Sequence, residues 1–346
     1  MRALTISATG SLDCVEFRTD IAAPALNAPG LVRVRVQSAP LNHLDLWTVR
    51  GLPTFAATSP WIIGADASGI VAEVSDGVAG IRVGDRVVVN PGLSCRQCDY
   101  CRAGEHPLCV KFRVLGEHVP GTFAEEIVVP ATNVRSVPAS LPEAAVQSFG
   151  LATLTAWRML VAKARVTAGD EVLIWGIGGA VAQAALLIAK ACGARVWVTS
   201  GSDAKLERAR TMGADEVINH TGIDVGREVR ARTGKRGVNV VIDSVGAATW
   251  EQSLGALGRA GRLVTCGGTS GHALQTDVRR LFWNQWTIMG STMGSDADFD
   301  AVVGELVAGR LALPVDSVFP LERGREAMER LQSGAQFGKV VLQVGA

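Results

Sequence analysis

The sequence lacks a strong excess of either charge and has no long apolar run. Its 34 basic and 33 acidic side chains leave a formal net charge of +1, and no basic cluster stands out. This balance argues against nucleic acid or an anionic membrane surface as a partner. No uninterrupted apolar stretch reaches the roughly 18 residues needed to span a bilayer, and the N-terminus lacks the apolar core of a signal peptide. We therefore expect a cytoplasmic protein.

Tyrosine is nearly absent, with one among 346 residues, yet 48% of the chain is apolar, as is typical of a globular protein. A chain of this length can form two domains with separate cores. The seven cysteines are an odd number, which excludes a complete disulfide framework. Four of them cluster between positions 95 and 109, which indicates metal binding in a reducing compartment.

The clustered cysteines are Cys95, Cys98, Cys101 and Cys109, with the spacing C-x2-C-x2-C-x7-C. Four thiolates this close can complete a tetrahedral zinc shell, and a closed all-sulfur shell leaves no position for water or substrate. The spacing therefore predicts a structural zinc. Chance crowding of cysteines is disfavoured because free cysteine prefers the core, whereas this segment is polar.

A strand, a glycine turn and a helix are predicted in succession near position 175. The apolar run Glu171–Trp175 is followed by glycines and then by an Ala-rich segment that ends at Cys192-Gly193. Glycines let a pyrophosphate approach the backbone, and the helix N-terminus offers unpaired N–H groups. The G-x-G-x-x-G spacing is not met, so an ordinary glycine turn is the alternative. The residues predicted to bind a dinucleotide here are Gly176, Gly178, Gly179, Ala180 and Val181.

Strand signals then alternate with helix signals, which predicts a doubly wound parallel sheet with its ligand crevice at the carboxyl ends of the strands. The strand signals are Val172–Trp175, Arg195–Thr199, Glu216–Ile218, Val238–Ser244, Gly261–Cys266 and Trp286–Gly290. Small or polar residues follow several of them, and those expected to contact the cofactor are Ser200, Gly201, Ser244, Val245, Gly267 and Gly268.

Residues 1 to about 90 read as β-rich, because 31–37, 69–74 and 85–90 alternate in polarity between glycine or proline turns. Strand-like alternation returns at 121–138, and Glu143–Val161 reads as a helix. A later helical stretch, Phe299–Val307, precedes a closing strand, Gly338–Val344, which we expect to join the N-terminal sheet.

Together these features resemble the medium-chain dehydrogenase/reductase superfamily over essentially the whole chain. The resemblance is carried by the four-cysteine lobe, the strand–glycine–helix unit at 171–193, the segment Ile63–Gly69 in place of the family's Gly-His-Glu, and the terminal Gly338–Leu342. It implies an α/β protein in which a GroES-like β-rich domain (1–147 and 293–346, zinc lobe 90–112) surrounds a Rossmann domain with a doubly wound parallel sheet (148–292). It also implies a homodimer or homotetramer, joined through the sheet edge near 286–292.

The donors that hold a catalytic zinc in alcohol dehydrogenases of this superfamily are replaced here by Asn42 and Ala65, and the region near Leu151 offers no thiolate or carboxylate. A zinc site needs three protein donors and an open position. The segment Asn42-His43-Leu44-Asp45 resembles the zinc-free quinone oxidoreductase branch instead. This implies a hydride-transferring reductase acting on a carbonyl, enone or quinone. The alternatives are a zinc alcohol dehydrogenase that recruits Asp45 or Asp66, and a noncatalytic nicotinamide-binding redox sensor.

The predicted catalytic residues are Asn42, His43 and Asp45. Asn42 is predicted to donate a hydrogen bond to the substrate oxygen, with capping of its own backbone as the alternative. His43 is a candidate for pyrophosphate contact or proton relay, or else a surface histidine. Asp45 and Asp66 read as structural hydrogen-bonding carboxylates more than as general acids.

NADP(H) is the predicted cofactor, with NAD(H) as second choice. The end of the second Rossmann strand carries Ser200-Gly201-Ser202 with Lys205 nearby, and no carboxylate sits where NAD-specific sites bind the ribose diol. Asp203 could still turn inward, and Lys205 reads equally well as a solvated helix residue. Lys339, in the closing strand, completes the set of predicted cofactor-binding residues.

Overall fold

The structure is a computed structural model that describes residues 1–52 and 60–345. It divides into two compact units, Met1–Leu151 with Ser295–Ala346, and Ala152–Gly294. The predicted domain limits of 147/148 and 292/293 lie within a few residues of these bounds. Among the described residues, no helix combines the length and apolarity that crossing a membrane requires.

The described strands are β1 Ala3–Ile6, β2 Val15–Arg18, β3 Leu31–Pro40, β4 Trp61–Ile62, β5 Ser68–Val74, β6 Arg86–Val89, β7 Gly92–Leu93, β8 Arg113–Val114, β9 Glu126–Pro130, β10 Val134–Ser136, β11 Glu171–Ile174, β12 Arg195–Ser200, β13 Glu216–Asn219, β14 Val238–Asp243, β15 Leu257–Thr265, β16 Thr287–Gly290, β17 Val315–Pro320 and β18 Lys339–Gln343. The α-helices are α1 His43–Arg50, α2 Asp99–Arg102, α3 Glu143–Gln147, α4 Leu151–Trp157, α5 Ala180–Ala191, α6 Asp203–Thr211, α7 Val225–Arg232, α8 Trp250–Ala256, α9 Val278–Asn284, α10 Asp296–Val307 and α11 Gly324–Gln332. A π-helical turn, Arg158–Lys163, follows α4.

The second unit, all of which the structure describes, is built on one parallel sheet in the order β13-β12-β11-β14-β15-β16. Its central strands are apolar on both faces, as in β11, where Val172, Leu173 and Ile174 are fully buried. Such strands require helices on both sides of a parallel sheet. The predicted doubly wound sheet is confirmed, and its six strand signals all belong to it.

The first unit contains a larger sheet in the order β10-β6-β5-β3-β18-β17, with β9 also paired to β3. Strand β3 alternates as its sequence predicts, so Val32, Val34 and Val36 are buried in the core. Strand β18 pairs antiparallel with the end of β3. The end of the chain therefore completes the N-terminal sheet, as expected, and brings the start of β18 to the turn between β3 and α1.

Two local expectations were wrong. The stretch predicted as one helix over 143–161 is broken into α3, α4 and the π-helical turn. The break lies at Gly150, whose φ of 150° is unfavourable for other residues and where a Cβ would lie 2.2 Å from Cγ of Asp66. Helix α1 was not anticipated within the β-rich region, because eight residues between strands give little periodic signal.

Candidate active site and zinc centre

The four predicted zinc ligands converge in a lobe formed by β7, β8 and α2. The sulfur atoms of Cys95, Cys98, Cys101 and Cys109 all lie within 4.8 Å of one another. The Sγ–Sγ distances are 3.5 Å for Cys98–Cys101 and 3.9 Å for Cys95–Cys101. Tetrahedral coordination at a Zn–S distance of about 2.3 Å places sulfurs about 3.8 Å apart. Within the described ranges, this is the one group of three or more Cys, His, Asp or Glu donors that converges in this way.

Backbone amides around the lobe favour the thiolate form of two of these cysteines. Hydrogen bonds from the backbone N–H groups of Gln97 and Cys98 lower the pKa of Cys95 to about 6. Backbone N–H groups of Cys101 and Val110 likewise lower the pKa of Cys98. Thiolates are the species that bind zinc, and N–H···S bonds orient them. Burial raises the pKa of Cys101 to about 11, so Cys101, unlike Cys95 and Cys98, does not favour the thiolate form in the absence of a metal. The spacing of the four sulfurs fits a structural zinc.

Asn42 lies between β3 and α1, and 7% of its surface is exposed. Its Nδ2 donates to Oδ2 of Asp66 at 2.8 Å, and its Oδ1 accepts from Nζ of Lys339 at 2.8 Å. A second Nδ2 contact, to the carbonyl oxygen of Pro40, is long at 3.5 Å. The amide is thus held by two ionisable side chains, and Asn42 is at the same time the N-cap residue of α1, where it forms a capping box with Asp45.

Asp66 is completely buried next to Ala65. Its Oδ1 accepts the backbone N–H of Leu151 at 2.7 Å, and its Oδ2 faces both Asn42 and Nζ of Lys339, the latter at 3.3 Å. The positions predicted from the resemblance to lack zinc donors, Asn42, Ala65 and Leu151, therefore all adjoin this one carboxylate.

Lys339, which the sequence predicts as a cofactor contact, bonds to groups of its own unit in the structure. Lys339 is 1% exposed, and its Nζ donates to the carbonyl oxygen of Leu41 at 2.7 Å as well as to Asn42 and Asp66. An ammonium group has three hydrogens to donate, and all three have acceptors here. The physical reason is that the start of β18 lies inside the first unit, against the turn that carries Asn42.

Asp45 and His43 occupy the first turn of α1. Oδ2 of Asp45 accepts the backbone N–H of Asn42 at 2.6 Å. Burial and the nearby Asp66 carboxylate raise the pKa of Asp45 to about 7, although hydrogen bonds from the backbone N–H groups of Asn42 and Ala65 act in the opposite direction. Burial also lowers the pKa of His43, helped by the positive charges of Lys339 and Arg50. His43 is therefore uncharged at neutral pH, and its ring packs 6.4 Å from that of Trp47 between centroids.

The predicted dinucleotide-binding residues of the second unit gather at the carboxyl ends of adjacent strands β12, β11, β14 and β15. Gly176 follows β11 with a φ of 71°, a value that favours glycine, and its N–H donates to Oγ1 of Thr199. A Cβ at Gly176 would lie 3.9 Å from the Val245 side chain, beyond β14. The remaining glycine-turn residues, Gly178, Gly179, Ala180 and Val181, lead into α5, and Ser244, Gly267 and Gly268 follow β14 and β15.

Ser200 ends β12, and its Oγ accepts the backbone N–H of Ser202, the residue that caps α6. Gly201 lies between them, close to His220 at the end of β13. Oδ1 of Asp203 accepts from Nδ2 of Asn219 at 2.7 Å, which directs this carboxylate toward β13. Lys205 is half-buried in the first turn of α6.

Asp243, the last residue of β14, was expected among the polar strand-end residues near the cofactor, but its role in holding the following turn was not predicted. Its buried carboxylate accepts the N–H groups of Val245 and Gly246 and the hydroxyls of Thr249 and Ser253. It thereby shapes the turn that carries the predicted residues Ser244 and Val245. An acidic residue at the end of an otherwise apolar strand was the available signal, because a buried carboxylate requires several donors.

A zinc-binding dehydrogenase family model matches residues 180–308, and a model of the alcohol dehydrogenase GroES-like domain matches residues 28–139. An alcohol dehydrogenase of Geobacillus stearothermophilus is 32% identical over 319 residues, covering 91% of this chain and 92% of that protein. A crystal structure of an NAD-dependent alcohol dehydrogenase is 41% identical, with a TM-score of 0.95 and complete coverage of both chains. The cobalt- and zinc-bound thermostable alcohol dehydrogenase from Pyrobaculum aerophilum is 34% identical, with a TM-score of 0.89 and 99% coverage of each chain.

The matched segments include the four-cysteine lobe and, from Ala180 onward, the helix of the strand–glycine–helix unit on which the resemblance was based. By these matches, the chain belongs to the zinc-binding medium-chain dehydrogenase/reductase superfamily and is an NAD(P)-dependent, alcohol dehydrogenase-like oxidoreductase.

Proposed function

We propose that this protein is an NADP(H)-dependent oxidoreductase that transfers hydride between nicotinamide and a carbonyl, enone or quinone, with a structural zinc and no catalytic zinc. The observation that carries the proposal is the Asn42 amide. The resemblance assigns Asn42 to the position of a metal ligand, yet its amide is bonded to Asp66 and Lys339, and among the described residues its other N–H has only a 3.5 Å contact.

The reaction needs a group that stabilises negative charge on the substrate oxygen. When bound, the nicotinamide supplies or accepts the hydride, and charge changes on the oxygen of the carbonyl or conjugated carbonyl. A fixed N–H donor in a buried site stabilises that charge without reorganisation. The spare N–H of Asn42 is the donor we assign to this oxygen, in place of a Lewis-acidic metal.

His43 is assigned to proton relay rather than to pyrophosphate binding. Because its pKa is lowered, the imidazole is neutral at pH 7 and can accept a proton on one nitrogen while donating from the other. A neutral ring has no charge with which to attract a pyrophosphate. Asp45 is assigned to holding the turn before His43, through its bond to the Asn42 backbone.

The Asn42 assignment is tested by steady-state kinetics of Asn42→Ala and of the near-isosteric Asn42→Asp with the best substrate from a panel of aldehydes, enones and quinones. Loss of an oxyanion donor lowers kcat about hundredfold, so we expect a loss of that order for both variants. Asp at this position retains size and accepts from Lys339 but has no N–H to donate. Unchanged kcat/KM in Asn42→Ala would refute the assignment.

The preference for NADP(H) is supported by Ser200, Ser202 and Lys205 around the end of β12 and by the engagement of Asp203 with Asn219. Hydroxyls and a lysine suit a 2′-phosphate, whereas a carboxylate repels it. One similar structure is named an NAD-dependent alcohol dehydrogenase, so NAD(H) is the competing choice. We expect Ser200→Asp to reduce the ratio of NADPH to NADH efficiency at least tenfold. Equal efficiencies of the unmodified enzyme with both cofactors would contradict the preference.

We also propose that the chain forms a homodimer or homotetramer through the sheet edge at β16. Among the described strands, β16 pairs with β15 alone, and the adjoining helix α9 exposes Val278, Phe282 and Trp283 by 63%, 64% and 69%. An open strand edge beside exposed apolar side chains is suited to a second copy of the same chain. Sedimentation at micromolar concentration tests this, and a monomer would contradict it.

A further inference from the structure

We propose that Lys339 and Asp66 are positioning residues that fix the orientation of the Asn42 amide, so that its nitrogen rather than its oxygen serves the substrate. This inference rests on the proposed function, since it explains how the assigned donor is held. It gives Lys339 a role different from cofactor contact and makes Asp66 more than a structural carboxylate.

The two ionic partners distinguish the oxygen of the amide from its nitrogen. Oδ1 of Asn42 lies 2.8 Å from an ammonium group, which can only donate, and Nδ2 lies 2.8 Å from a carboxylate oxygen, which accepts. Rotating the amide by 180° would place N–H hydrogens against the ammonium and the amide oxygen against the carboxylate. Both favourable bonds would become repulsive contacts, so one orientation is strongly preferred.

The preference for one orientation of the Asn42 amide is strong because both charged partners are buried. Lys339 is 1% exposed and Asp66 is 0% exposed, so water does not screen their charges. Charge-assisted hydrogen bonds of this kind are stronger than neutral ones, and more so at low local dielectric. The amide therefore lies between opposite charges, with its dipole aligned to both.

The orienting charges are themselves held by backbone groups. The third hydrogen of the Lys339 ammonium goes to the carbonyl oxygen of Leu41, directly before Asn42. The second oxygen of Asp66 accepts the Leu151 N–H, and Gly150 allows this approach because any Cβ there would overlap the carboxylate. Neither charged group can turn toward a substrate without giving up one of these bonds.

Among the residues that the structure describes, one N–H of Asn42 has no good acceptor. The hydrogen not given to Asp66 meets the Pro40 carbonyl at 3.5 Å, which is beyond the usual range of an N–H···O bond. A substrate carbonyl oxygen is the acceptor that would complete this site. Lys339 and Asp66 thus ensure that the amide nitrogen of Asn42, which is a donor, faces the substrate instead of the amide oxygen.

The experiment is a double-mutant cycle between Lys339→Met and Asn42→Ala, with kcat and KM measured separately. Lys339→Met has nearly the same size as the native residue but cannot donate, so we expect kcat to fall about tenfold with KM little changed, in line with one hydrogen bond of about 1.4 kcal/mol. In the Asn42→Ala background the same substitution is expected to change kcat less than twofold, because there is no amide left to orient. Lys339→Arg, which keeps donors and charge, should recover part of the loss.

Removing one member of a buried ion pair can prevent folding, so Asp66→Asn with Lys339→Met provides a charge-balanced variant. It should fold, as shown by circular dichroism and Tm, and still show the tenfold loss of kcat. Arg330→Met is the matched control, because it removes a cation of the same unit whose partner is Asp316 and not Asn42 or Asp66. We expect it to lower Tm and leave kcat unchanged.

The outcomes separate this inference from the proposed function. If Asn42→Ala lowers kcat and the charge-balanced variant does not, the positioning role is refuted while Asn42 remains the donor. Equal losses from Lys339→Met in both backgrounds would show a merely structural role and also refute it. If Asn42→Ala itself has no effect, the proposed function fails first.

Discussion

Two regions of the first unit differ in how their charges balance. One is the four-cysteine lobe, and the other is the Asn42 network, which comprises Asn42, Asp45, Asp66 and Lys339. In the lobe, four thiol groups of one kind converge within 4.8 Å, and two of them have lowered pKa values. Thiolates at such distances repel one another unless a cation lies between them. In the Asn42 network, Asp66 and Lys339 carry opposite charges 3.3 Å apart and are bridged by an amide.

This difference explains what each region needs in order to be stable. The lobe is complete only with an external cation, so its donors predict a metal. In the Asn42 network, the opposite charges of Asp66 and Lys339 balance each other, and the Asn42 amide donates to one and accepts from the other. A neutral amide can therefore be held in place by a balanced ion pair without any external cation.

We expect zinc removal to cause the largest loss of stability, and this loss should be limited to the lobe and the residues that it contacts. Structural zinc contributes roughly 10–16 kcal/mol of apparent binding free energy in small zinc-finger domains, which is coupled to folding. Chelation under reducing conditions is expected to abolish hydrogen-exchange protection over 95–109 and at the start of α10, where Asp296 bonds to Arg96 and His106.

The control for this experiment is the Asn42 network, whose neighbouring amides in β18 should keep their protection after chelation. Elemental analysis before and after treatment gives the zinc lost per chain. Protection of the lobe that is unchanged after all zinc has been removed would contradict the claim that its like charges require a cation.

The next largest effect on stability is expected from Asp45, because its carboxylate, unlike that of Asp66, is not paired with the Lys339 ammonium. Its pKa is raised from 3.8 to about 7, so the folded state retains a proton that the unfolded chain loses above pH 4. Its contribution to stability therefore decreases as pH rises from about 4 to 7. Three pKa units correspond to about 4 kcal/mol.

We accordingly expect Asp45→Asn to flatten the decline in unfolding free energy between pH 5 and pH 8, measured by urea denaturation. Asp316 is a matched control of opposite sign. Its pKa is lowered even though burial opposes this, because Arg330 and the Phe337 N–H bond to it, so Asp316→Asn should remove stability that is present above pH 4. A parallel pH dependence of Asp45→Asn and the unmodified protein would contradict the raised pKa.

The second unit was predictable because its signals are local. Apolar runs such as Val172–Ile174 end at glycines, and these mark strand ends and the turn before α5 within one or two residues. The four cysteines were equally readable, because their spacing alone specifies a tetrahedral site. In both cases the residues that act together are close in the sequence.

The Asn42 network was only partly predictable because its members are far apart. Lys339 and Asp66 are separated by 273 positions, and nothing near Lys339 reveals its partner. A lysine in the otherwise apolar segment Lys339–Leu342 was still a signal, since a charge in a buried strand needs a counter-ion. Helix α1 and the break at Gly150 likewise depend on contacts that form only in the folded unit.

The smallest effect concerns the ion pair that joins the zinc lobe to α10. Arg96 contacts both carboxylate oxygens of Asp296, at 2.6 and 3.3 Å, but both side chains are partly exposed. Exposed pairs contribute about 0.2–1 kcal/mol, so a double-mutant cycle of Arg96→Gln and Asp296→Asn should give a coupling energy in that range. The coupling should vanish after chelation if the proposed zinc holds the segment that carries Arg96. The Arg310–Glu305 pair near the other end of α10 should keep its coupling energy in both states. A coupling between Arg96 and Asp296 that survives zinc removal would mean that the lobe holds its shape without the cation, which would weaken the contrast with the Asn42 network.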